Sequence, residues 1–412
     1  MAKRGPFPKN LLRLLGMSLG LFVASCGGES QSTGGESQST SSREGPDLEG
    51  SFATLELEAT YPEPFSYLSR VRELPDGRLL AADPLGQVLL RLDLESGTAD
   101  TLGGQGAGPE EYQGPDQVLP LPGDSTLLVD LGNARLTVVD PKGSFVDWIP
   151  MVRPREDGTA RTILPRFTDN AGRLYLPGVS NLEGSPPDSS SISRFHRGEN
   201  TETVLARAWH PERTPFDPSA KPPMLRPMDD WAVGPDGSVV VVRANGYSVD
   251  WFGPDGGMVR GPPNTVEAFP VGQPEKEAEM DELASAAIFT SVVRGDGGTE
   301  SRQMVRGLPP GGGPGMDDFE WPETLPVFRP MGTLVSPRGE VWVQRIMPQT
   351  MAPRYDVFDR DGLRLGSVDL PRGSRIIGFG SRPGTQDRVY LTQTDDVGLI
   401  RLGSYRLQVG GS

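Results

Sequence analysis

A short apolar run, a tight turn closed by glycine and a second short run recur along this chain. The clearest copy spans Leu74–Gly97, LPDGRLLAADPLGQVLLRLDLESG. Pro75-Asp76-Gly77 is a tight turn, because glycine accepts positive φ and aspartate bonds back to its own backbone. Arg78 to Ala82 has strand length. After the turn at Asp83-Pro84-Leu85-Gly86, Leu90, Leu92 and Leu94 alternate with Arg91, Asp93 and Glu95, the period of a half-buried strand. Ser96-Gly97 turns the chain again. Two-residue periodicity broken every few residues by Gly, Pro or Asp cannot make helices of ordinary length; it makes antiparallel meanders.

The same grammar predicts six units: about 66–102, 115–150, 162–209, from Asp229, 329–370 and 375–407. The first turns of the first five are Pro75-Asp76-Gly77, Pro122-Gly123-Asp124, Asn170-Ala171-Gly172, Pro235-Asp236-Gly237 and Pro337-Arg338-Gly339. A second motif sits between third and fourth strands, as in Val139-Asp140-Pro141-Lys142-Gly143 and Phe358-Asp359-Arg360-Asp361-Gly362. Glycine (53) and proline (41) are abundant enough to argue for disorder if scattered, but here they punctuate strands. Four-stranded units of this spacing bury little alone and are stabilised by stacking on their neighbours, which makes a β-propeller. The sixth unit has three strands, and Ser51–Thr60 reads as a strand without a neighbour. The expected fold is therefore all-β: a six-bladed β-propeller of four-stranded antiparallel blades over residues 51–410, closed by the N-terminal strand, which removes the open edge. One stretch departs from this. In the insertion at about 264–326, residues 275–294 place Met280, Leu283, Ala284, Ala287, Ile288 and Val292 on one helical face, with acids leading and Arg294 trailing. The reading is a helix that either caps one mouth of the ring or packs outside it.

Residues 1–25 carry Lys3, Arg4, Lys9 and Arg13 and then an apolar run too short to span a bilayer. The run ends in Leu21-Phe22-Val23-Ala24-Ser25-Cys26, which resembles the bacterial lipoprotein lipobox. The resemblance implies cleavage before Cys26, the only cysteine, and lipid attachment to it. Gly27, where an aspartate would imply inner-membrane retention, points to the outer membrane. Residues 26–50, with GGESQST twice, read as a flexible Gly/Ser-rich tether. With one cysteine no intrachain disulfide can form. A net charge of −15 without a basic face excludes nucleic acid as a partner.

With the turn motifs, Gly103-Gly104-Gln105-Gly106-Ala107-Gly108-Pro109-Glu110-Glu111-Tyr112 before the second unit resembles the six-bladed propeller lipoproteins of environmental bacteria, related to NHL-type propellers. That resemblance implies fold and envelope location, with the membrane as partner through the lipid anchor; it implies no single activity. Catalytic signatures are few. Gly104-x-Gly106-x-Gly108 has neither dinucleotide nor Walker spacing and reads as an inter-blade loop. His196 and His210 lie in no metal-ligand spacing, and no G-x-S-x-G elbow is present. Asp83 and Asp130 read as turn-formers, and the six tryptophans as inter-blade packing.

The candidate site is the ring axis. Counting back seven residues from Gly77, Gly123 and Gly237 lands on Arg70, Asp116 and Asp230, near the starts of innermost strands. Asp229, Arg329 and Arg375 are close by. Six-bladed lactonases and related hydrolases hold a divalent cation at their axis with Asp, Glu and Asn; this mixed acidic and basic set suits a polar ligand better, and no cofactor is expected. The expectation is a lipid-anchored envelope propeller that binds a protein partner or a small polar ligand at its axial face rather than an enzyme, the alternative being a metal-dependent hydrolase or lyase using axial carboxylates.

Overall fold

The computed structural model describes residues 51–154, 158–178, 188–211, 220–286, 288–294, 300–306, 313–395 and 397–409. The signal and tether, and with them Cys26, lie outside the described residues.

Six four-stranded antiparallel sheets follow one another in the order expected. Blade one is Val71–Glu73, Leu79–Asp83, Val88–Asp93 and Thr98–Thr101; blade two is Pro115–Pro120, Thr126–Asp130, Arg135–Val139 and Phe145–Pro150. Blade three is Phe167–Thr168, Leu174–Pro177, Ser189–His196 and Thr201–Trp209; blade four is Asp230–Val233, Val239–Arg243, Ser248–Phe252 and Met258–Arg260. Blade five is Phe328–Val335, Val341–Arg345, Arg354–Phe358 and Arg364–Asp369. Blade six is Ser374–Phe379, Arg388–Thr394 and Ile400–Val409, and its outermost strand is Ala53–Thr60 from the beginning of the described chain, paired from Ala53↔Val409 to Thr60↔Gly403. The orphan strand and the short last unit thus complete each other.

The ring is held by cores shared between neighbours. Leu80 and Leu89 of blade one pack with Val118 and Leu128 of blade two, and Leu127 and Leu136 of blade two with Leu174 and Phe195 of blade three. At the closing interface, Val71, Leu79 and Leu92 of blade one share a cluster with Ile377, Tyr390 and Leu402 of blade six. The turn glycines assist. Gly77 (φ +93°) and Gly237 (φ +87°) sit where a Cβ would collide with the guanidinium of Arg382 and Arg173, each from the preceding blade. Those guanidinium groups donate to Pro75 O (3.0 Å) and Asp236 O (3.3 Å). The seam that closes the ring between blades six and one is therefore built as an interior seam is.

The insertion corrects one expectation. The helix spans Gln273–Ala286, and Ile288–Arg294 is a strand paired with Glu300–Arg306. Ile288-Phe289-Thr290-Ser291-Val292-Val293 is rich in β-branched and aromatic residues, which favour the pleated conformation over a continued helix. Arg294 pairs with Glu300 in that hairpin and does not end the helix.

Candidate functional site at the ring axis

Each innermost strand starts on the same face of the ring, and each blade places a charged residue there. These are Arg70, just before blade one's first strand, Asp116 in blade two, Arg166 just before blade three's, Asp230 in blade four, Arg329 in blade five and Arg375 in blade six. Second strands end on this face too, and Asp83 and Asp130 there accept backbone amides as turn-formers do: Asp83 from Ser66, Tyr67 and Gly86, Asp130 from Gln113, Gly114 and Asn133. The glycine loop before blade two is likewise structural. Its Gly106 carbonyl accepts from Asn133 (2.9 Å) and its Gly108 amide donates to Glu111 (2.7 Å).

Five of the six expected site residues belong to the axial set. Asp229 does not. Its carboxylate accepts the amides of Trp209 (2.9 Å) and Ala244 (2.9 Å) and pairs with Arg243 (2.8 Å), so it ties strand ends together. Adjacent strand residues face opposite ways, so of Asp229 and Asp230 only one can point to the axis. Arg166 was missed because blade three's innermost strand, Phe167–Thr168, is one residue shorter than Val71–Glu73: seven back from Gly172 is Pro165.

Arg70 defines the depth of the site. From blade one it reaches past blade two to blade three, donating from Nη1 to the Arg166 carbonyl (3.3 Å) and lying 4.8 Å over the Phe167 ring. Blades one and three are not neighbours, so this side chain crosses the axial channel. Arg166 lies 5.1 Å from both the Phe167 and Trp231 rings and pairs through Nη1 with Asp230 (2.7 Å). The other oxygen of Asp230 accepts the Thr333 amide (2.9 Å). Burial, with the Arg166 charge adding to it, pushes the Arg70 guanidinium down to about 10.

The helix Gln273–Ala286 lies over this mouth. Glu275, Glu279 and Glu282, spaced i, i+4, i+7, share one helical face. Glu275 accepts the Gln349 amide (3.0 Å) from the loop between blade five's second and third strands. Glu279 pairs with Arg329 (2.8 Å) and Glu282 with Arg375 (3.4 Å). The capping alternative therefore holds, with the helix's acids meeting the rim. Arg375 also donates to the Leu68 carbonyl (2.7 Å). Burial lowers its guanidinium, but Tyr67 and Glu282 beside it outweigh that and hold it above its ordinary value. Opposite Gln344, blade five's inner strand bulges over Arg329–Gly332 and presents Met331 at the rim, 74% exposed.

A calcium ion takes six to eight oxygen ligands, and neighbouring positive charge repels it. Four of these six positions are arginine, and Asp230 is already engaged by Arg166 and Thr333. Among the described residues no three Asp, Glu, His or Cys side chains gather as a metal cage. The donor set does not fit a hard cation. His196 bonds Thr203 on the surface (3.2 Å) and His210 the Pro211 carbonyl (3.1 Å), both away from the axis. Trp231, Trp251 and Trp342 are buried in the blades as expected, whereas Trp148 is 55% exposed on an outer strand.

No protein-family model matches the sequence, and no curated protein matches it. Among solved structures the chain is similar to a gluconolactonase from Xanthomonas campestris (15% identity, 86% of this chain and 89% of that one, TM-score 0.37). It is also similar to regucalcin, a calcium-binding protein from Agrobacterium tumefaciens (11%, 87% and 97%, 0.38). A third is virginiamycin B lyase from Staphylococcus aureus (9%, 84% and 82%, 0.36). At these identities and scores the likenesses carry nothing about the chemistry of this chain.

Proposed function

We propose that this chain is a lipid-anchored binding protein of the bacterial envelope, tethered through Cys26 at the outer membrane, whose axial mouth receives a small polar ligand. The observation that carries the binding reading is the convergence of a charged residue from every blade on one mouth, under a helix that meets the rim through polar pairs. Ion pairs can exchange one partner for another, whereas a dry apolar seal would keep the mouth shut. The acidic composition, the lipobox and the repeated tether sequence support the envelope location.

Thermal-shift measurements on the full chain test the binding reading with a panel of neutral, cationic, zwitterionic and anionic small solutes. A ligand at 100 times its dissociation constant stabilises by about 2.7 kcal/mol. Saturable stabilisation by at least one class is expected, and none from any class refutes the reading. Saturable stabilisation by Ca²⁺, Mn²⁺ or Zn²⁺ that disappears in Asp116→Ala and Asp230→Ala would replace it with a metal-dependent hydrolase. Incorporation of labelled palmitate that is lost in Cys26→Ala tests the anchor.

A further inference from the structure

Resting on the reading of the axial mouth as a ligand site, we propose that its ligand is a small oxyanion, a carboxylate or a phosphate, received at depth by Arg70 and Arg166. The argument is one of unmatched charge. Of the four arginines at the inner-strand starts, three have a carboxylate: Arg166 has Asp230, Arg329 has Glu279 and Arg375 has Glu282. Among the described residues Arg70 has none. Its polar partner is a neutral carbonyl, and the charge beside it, Arg166, has the same sign. Arg166 is itself incomplete, because its Nη2 is buried without a hydrogen-bond partner.

A partly enclosed cation without a counter-charge is unfavourable, and an anion from outside the chain would neutralise it. Both guanidinium groups lie over the faces of the Phe167 ring, at 4.8 and 5.1 Å. Arg70 Nη1 meets the Arg166 carbonyl and Arg166 Nη1 meets Asp230, while Arg166 Nη2 has no hydrogen-bond partner. The planar fork of a guanidinium matches the paired oxygens of carboxylate or phosphate. A neutral hydroxyl would leave the charge unmet, and a cation would meet two like charges. The outer pairs repeat the logic. The helix lends Glu279 and Glu282 to the two rim arginines, so its own carboxylates occupy the positions that an entering anion passes, and an anion competes with them.

Isothermal titration of the full chain at fixed ionic strength, with succinate, inorganic phosphate and the neutral succinamide, tests this. One or both anions should bind saturably at one per chain and succinamide should not, the two anion arms separating a carboxylate from a phosphate preference. Arg70→Met should weaken anion binding about 10- to 100-fold with no loss of thermal stability, and Arg70→Lys, which restores charge without the fork, should recover part of it. Glu279→Gln with Glu282→Gln should tighten binding a few-fold by removing the competing carboxylates. Anion binding unchanged in Arg70→Met, equal binding of succinamide, or no binding of either anion would each overturn the proposal. If the anions fail while a neutral or cationic solute stabilises the protein, the anion assignment falls and the ligand-site reading stands; if no solute of any charge acts, both fall.

Discussion

Blade five and the axial mouth each bury arginine, and they treat it in opposite ways. In blade five, Asp356 is fully buried and saturated. It accepts from Tyr247 OH (2.6 Å), Arg345 Nη1 (3.1 Å), Arg364 Nη2 (2.9 Å) and Ser367 Oγ (2.9 Å). Burial raises its carboxyl, but Arg345 and Arg364 outweigh that and hold it below its ordinary value, while burial beside it drives the Tyr247 hydroxyl far up. That cluster joins blade four to blade five and matches its carboxylate to two built-in arginines, although Arg364 Nε is buried without a partner. At the axis, Arg70 is half-buried and lacks a counter-charge. The same side chain is cement where its partners are built in and a receptor where they are not.

The contrast can be broken or sharpened by mutation. Asp356→Ala should be the most damaging change, about 3–5 kcal/mol by chemical denaturation, because it strands Arg345 in the interior. Wild-type stability should also fall in acid. Asp356 has a lowered folded value, so its contribution is complete above the ordinary carboxylate range and is lost as pH drops through that lowered value. The acid limb of stability should flatten in the variant, and an unchanged limb would remove Asp356 from the account. Tyr247→Phe, which deletes one charged hydrogen bond and keeps the ring stacked on Phe328 (5.8 Å), should cost about 1.5–3 kcal/mol. Asp369→Ala breaks an exposed pair with Arg354 on the same blade (2.6 Å). Solvent screening should hold its cost to about 1 kcal/mol or less. Arg70→Met should cost no stability, since it removes a charge that nothing in the fold balances; a loss matching that of Asp356→Ala would show the two regions to be alike.

Most of the fold was legible because the turns are written in residues whose geometry is local. Glycine at positive φ, with aspartate bonding its own backbone, marks strand ends whatever surrounds them, so the six units and the missing twenty-fourth strand could be counted. The hairpin after Ala286 was not, because an apolar run of that length satisfies helix and strand periods alike and the decision is made by pairing with Glu300–Arg306. At the site, counting seven back from the turn glycines reached the strand starts of blades one, two and four; it failed in blade three, whose innermost strand is one residue shorter and hid Arg166, and in blade five, where the bulge between Phe328 and Thr333 puts Gly332 at that position. Strand alternation could have separated Asp229 from Asp230. The acidic stripe Glu275, Glu279 and Glu282 was visible in its spacing, but its partners lie 50–93 residues further along, and no local pattern names them.

The most direct measurement is an anomalous difference map from crystals of the full chain soaked in bromide. The account predicts a peak at the axis within contact distance of the Arg70 and Arg166 guanidinium groups, absent in Arg70→Met. Peaks confined to the outer surface, or an axial peak that persists in the variant, would contradict it.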